Sequence, residues 1–72
     1  MGSKRKPGRY DCLKNLPDDE PFFVLRGRDP TAAGLVDRWI LENAGTCPPE
    51  KLAEAAEVAA AMRALPVHKA AD

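Results

Sequence analysis

Seventy-two residues, with 11 Lys plus Arg balanced by 11 Asp plus Glu and 44% apolar side chains, leave room for one small domain. From Leu13 onward roughly sixteen apolar side chains are larger than alanine, a thin core that folds alone only marginally and makes oligomerisation a natural expectation. This size points away from several domains or a large cofactor enzyme, and no run approaches the ~18 apolar residues of a membrane-spanning helix.

The charges are unevenly placed. Residues 1–16 hold Lys4, Arg5, Lys6, Arg9 and Lys14 against Asp11, a net of +4, whereas residues 17–72 hold six basic and ten acidic groups, a net of −4. A basic arm therefore precedes an acidic body. Its plain reading is a solvated, flexible leader over 1–16; the sharper one is an arm that touches nucleic acid or an acidic partner through Lys4, Arg5, Lys6, Arg9 and the stacking ring of Tyr10. The start lacks the apolar stretch of a secretory signal, so a cytoplasmic protein is expected, with Cys12 and Cys47 reduced. Met1-Gly2-Ser3 reads equally as a native start or a tag remnant.

Leu13 and Leu16 suit a short helical turn. Pro17-Asp18-Asp19-Glu20-Pro21 is a linker, because its prolines interrupt regular hydrogen bonding. Phe22-Phe23-Val24-Leu25 reads as a short strand or extended segment. As a strand it has no mate in this chain, so it would pair with the same strand of a second copy, giving a dimer; otherwise it packs over helices. In a strand Phe22 and Phe23 point to opposite faces, which makes Phe23 a candidate for self-association.

Asp29-Pro30 predicts a helix start, with Asp as N-cap and Pro at the first turn. Ala32, Leu35, Val36, Trp39, Ile40 and Asn43/Ala44 follow the helical period, and Gly45 is the expected stop. Leu41 lies off that stripe, where a large apolar side chain suggests a second contact surface. Trp39 reads as a core residue or, as tryptophans at interfaces do, an anchor for a partner. The connection Thr46-Cys47-Pro48-Pro49 predicts a second helix from Pro49 to Leu65, closed by Pro66, with Leu52, Ala55, Ala59 and Met62 as a seam. The expected fold is mainly α: an antiparallel αα-hairpin over 17–66, preceded by the strand or extended segment, with a frayed tail over 67–72.

The chemistry for catalysis is sparse. Ser3 is the sole serine and His68 the sole histidine, both in expected loose ends, and no glycine-rich phosphate loop or Cys/His metal cluster can be written from the sequence. No enzyme activity, cofactor or metal is expected. Arg26-Gly27-Arg28 stands just before a helix N-terminus and could hold a phosphate or carboxylate, although Asp29 brings negative charge to the same end; the plain alternative is a turn at Gly27 and an ordinary ion pair. Glu50, Glu54 and Glu57 read as a solvated acidic face, or as a mimic of nucleic-acid phosphates.

Glu20-Pro21, Phe22-x-Val24-Leu25-Arg26, Asp29-Pro30-x-Ala32, Val36-x-x-Trp39 and Ala59-x-x-Met62 together resemble a group of small, uncharacterised proteins of tailed bacteriophages and prophages. The resemblance spans roughly residues 18–65. The chain departs from it where a tryptophan often follows the methionine; here Leu65-Pro66 stands. The resemblance implies a phage accessory protein that acts by binding, countering host defence through a host protein or a sequestered nucleotide-like anionic ligand. On that expectation Arg26 and Arg28 are the ligand candidates, and Phe23, Trp39 and Leu41 the interface candidates, with a homodimer as the favoured assembly and no membrane partner. The alternatives are a nucleic-acid-binding module using the basic arm and a structural phage component.

Overall fold

The computed structural model describes residues 1–10 and 12–66, Cys12 by its backbone alone. The expected tail over 67–72, His68 included, and Asp11 lie outside the described residues. A short 3-10 turn, Cys12–Asn15, is followed by two helices, α1 (Ala32–Glu42) and α2 (Pro49–Arg63), which pack as a helical hairpin. Residues 21–26 are irregular, and there is no strand among the described residues. A ladder at Phe22–Leu25 would need a strand from elsewhere.

The helix α1 begins later than Asp29-Pro30 suggests. Its N-cap residue is Thr31, whose side chain makes no cap bond. Asp29 instead closes the turn before the helix: its Oδ1 accepts from the Thr31 amide at 2.9 Å and from the Thr31 hydroxyl at 2.7 Å, while its carbonyl accepts from the Ala32 amide at 3.0 Å. The chemistry expected of an Asp cap is present, applied to the turn leading into the helix. Asp29 is only 8% exposed, so these bonds satisfy a carboxylate that has little water.

Those two Thr31 donors, the amide first, hold the Asp29 carboxyl below its ordinary value, against the opposing pull of burial. A carboxyl with a depressed folded pKa stabilises the fold above the ordinary aspartate value of about 3.9, and that contribution is lost as the pH falls through its lower folded value. Wild type and Asp29→Ala should therefore differ in melting temperature at pH 5–7, and the gap should narrow as the pH falls below the ordinary aspartate range. Melts recorded by circular dichroism across that range check this; a gap unchanged at low pH would contradict it.

The end of α1 also differs from expectation. Gly45 has no positive φ, and the helix stops at Asn43. The Asn43 amide side chain donates to the Trp39 carbonyl at 2.8 Å, and the Asn43 carbonyl accepts from the Thr46 and Cys47 amides at 3.0 Å each. The asparagine thus satisfies the last turn that a left-handed glycine would otherwise close. Cys47 carries a free thiol, 3.9 Å from Asn43 Oδ1.

The start of α2 is as the prolines dictate. Pro48 is extended at φ −58° and ψ 144°, Pro49 opens the helix, and the Pro48 carbonyl accepts from Lys51 and Leu52. The helix ends at Arg63, before Leu65 and Pro66. Glu50 in its first turn and Arg63 in its last both suit the helix dipole.

Among the described residues, Ala32, Ala33, Ala55 and Ala59 are the buried apolar side chains, and none larger is fully enclosed. Leu52, Val58 and Met62 flank the α2 alanines, and Val36 and Ile40 flank those of α1, all half-buried. The seam is therefore one of close backbone approach with little apolar area per residue. An Arg63–Asp37 ion pair links the two helices, and Arg38–Glu42 pairs along α1 at 3.0 Å. Both are largely exposed and contribute at most about 1 kcal/mol each. The radius of gyration is 12.5 Å, above the ~11 Å typical of a compact chain this long.

Candidate ligand cleft and exposed apolar side chains

The basic arm lies against α2. Glu54 accepts the Arg9 amide at 2.8 Å on Oε1 and the Tyr10 amide at 3.2 Å on Oε2. One carboxylate thus clasps two successive backbone N–H groups. Gly8 makes this possible: its φ is +82°, and an added Cβ would stand 2.6 Å from Glu54 Oε1 and 2.7 Å from the Met1 carbonyl oxygen. Within the arm, the Ser3 amide donates to the Lys6 carbonyl at 2.9 Å, the Lys6 amide to Ser3 Oγ at 3.1 Å, and the Met1 ammonium to the Tyr10 carbonyl at 3.0 Å. Ser3 therefore serves as a turn former.

Glu54 is the residue that sequence reading misses. It reads as one member of a solvated acidic face, yet it is half-buried and holds the arm, whereas Glu50 and Glu57 are exposed as expected. No local pattern announces a clasp between residues 45 positions apart. Tyr10 sits half-buried beside it, with Arg9 Cζ 5.7 Å and Lys51 Nζ 5.6 Å from its ring centroid. Its π-system already has two cations close by.

A cleft of about 760 Å³ opens between the arm, residues 24–27 and α2. Lys4, Lys6 and Arg26 border it; Val24, Leu25, Val58, Ala61, Met62 and Leu65 give it aliphatic walls, and Glu54 and Glu57 are its acidic members. Gly27 lets the 24–27 segment approach the end of α2, where an added Cβ would meet Leu65 Cδ1 at 3.1 Å and Met62 Cγ at 3.2 Å. Of the two arginine candidates only Arg26 lines this cleft; Arg28 is half-buried outside it. Two of the arm's cations, Lys4 and Lys6, share the cleft with Arg26, whereas Arg5 and Arg9 do not line it. Ahead of α1 the Asp29 carboxylate is occupied by the Thr31 amide and hydroxyl.

Several large apolar side chains face outward. Phe23 is 80% exposed, Leu41 74% and Trp39 37%, and Phe22, Val24 and Leu35 are also exposed. Trp39 and Leu35, one turn apart on α1, are both exposed, Trp39 the less so. Among the described residues no three His, Cys, Asp or Glu side chains gather as a metal site would require, and no helix is long and apolar enough to cross a membrane. No family model matches the chain, and no curated protein or solved structure matches it.

Proposed function

We propose that this chain is a small non-catalytic binding protein of phage type, working through its exposed apolar side chains and favouring a homodimer. One observation carries the reading: alanines fill the seam between the helices, while Phe22, Phe23, Leu35, Trp39 and Leu41 remain open to solvent. Side chains of this size left outside the core are surface that a partner can cover. The resemblance to phage and prophage proteins supplies the setting, in which the bound partner belongs to a host defence system. Expression of the chain should then raise phage plating on a host that restricts the phage, and Phe23→Asp should remove that gain. Equal plating with wild type, Phe23→Asp and no chain, at matched expression in a panel of restricting hosts, would contradict the anti-defence reading.

A second reading, the capture of an anionic ligand, is favoured by the meeting of Arg26 with Lys4 and Lys6 around one cleft. The same geometry weakens the rival in which the arm binds nucleic acid. The Arg9 and Tyr10 backbone is tied to Glu54, and the Tyr10 ring lies beside Lys51, an arrangement poorly suited to stacking on a base.

A further inference from the structure

We infer that the cleft between the arm and α2 is a site for a small single-chain amphiphile with an anionic head, a carboxylate, phosphate or sulfate on an aliphatic body. The inference rests on the anion-capture reading above and names its ligand class. Its volume, about 760 Å³, falls in the range of small-molecule sites, roughly 300–1,000 Å³. Its two kinds of wall match the two ends of such a molecule. Lys4, Lys6 and Arg26 stand at the border, three cations from two distant parts of the chain. Leu25, Val58 and Met62 line it with aliphatic and thioether surface, and all three are half-buried, so part of each is left for a ligand to cover.

The acidic members do not cancel the cations. Among the described residues the three cations outnumber the two carboxylates, Glu54 and Glu57, and both Glu54 oxygens already accept amides of the arm. The lining also discriminates between anions. Among the described residues it contains no aromatic ring on which a nucleobase would stack and no Asn or Gln amide to read a base edge. An aliphatic body is better matched than a nucleoside. The arm forms one wall, so the Glu54 clasp shapes the site.

Titration of the full chain with decanoate below its micellar concentration, followed by calorimetry and by NMR shifts of the Gly27 amide and Met62 methyl, tests this. Decanol and decyltrimethylammonium serve as neutral and cationic controls, and inorganic phosphate and adenosine monophosphate as anions without an aliphatic tail. Decanoate should bind and shift both signals, the two controls should bind much more weakly, and Arg26→Ala should weaken decanoate by about tenfold, as loss of one charge-assisted contact does. Lys4→Ala and Lys6→Ala should each act in the same direction. All three side chains are exposed, so the variants should keep the fold. Decanoate binding indifferent to all three substitutions would overturn the site. Binding of phosphate or adenosine monophosphate that Arg26→Ala abolishes, with none of decanoate, would overturn the amphiphile and leave the anion reading standing. Silence from every probe would overturn both.

Discussion

Ala59→Leu is expected to destabilise the hairpin by about 1–3 kcal/mol, the usual cost of inserting a larger side chain into a packed site. Ala59 is 1% exposed, in a seam where Ala55 is its buried neighbour on α2 and Ala32 and Ala33 are buried on α1. Three added carbons at a site this enclosed push the helices apart. A chain of this length holds only about 4–10 kcal/mol in total, so the loss is a large share. The measurement is a urea midpoint compared with Ala60→Leu, which places the same side chain on an exposed position of the same helix. Ala60→Leu should leave the midpoint nearly unchanged. A stabilised Ala59→Leu would mean that the helices do not approach through their alanines.

Glu54→Gln should free the arm and leave the hairpin folded. The carboxylate accepts two amides on two oxygens; glutamine keeps one oxygen and turns an NH₂ group toward the other N–H. One lost hydrogen bond, with a donor left facing a donor, and the loss of charge on the other amount to about 1–2 kcal/mol of arm docking. Amide exchange at Arg9 and Tyr10 should accelerate by about 5- to 30-fold, with the urea midpoint of the helices barely moved. Gly8→Ala should act alike, since alanine disfavours a φ of +82° and its Cβ would collide with the same carboxylate. The pair of variants contrasts with Ala59→Leu, which should shift the helical transition itself. Unchanged exchange at both amides would show that the arm is not held through Glu54.

Much of the hairpin is legible in the sequence because local rules fix it. Two consecutive prolines set the start of α2 at Pro49, and a three-and-four spacing marks Leu52, Ala55, Ala59 and Met62 as the inward face. The helix ends move where side chains compete with the backbone. Asp29 spends its carboxylate on Thr31 and delays α1, and Asn43 stops the helix before Gly45 is reached. Periodicity places Leu35 and Trp39 on the same stripe as Val36 and Ile40, but one neighbouring helix covers only part of a stripe that wide. Arg26, Lys4 and Lys6 stand out as cations in the sequence, yet their meeting around one cleft depends on the arm folding back. That depends on Glu54, a contact of long sequence separation with no periodic trace.

The absolute mass in solution, by light scattering over a range of concentrations, tests most directly whether the outward apolar side chains serve a partner. A dimer at twice 7.8 kDa, reduced to a monomer by Phe23→Asp, is the expected result. A monomer at every concentration, with or without Phe23→Asp, would contradict self-association through Phe23.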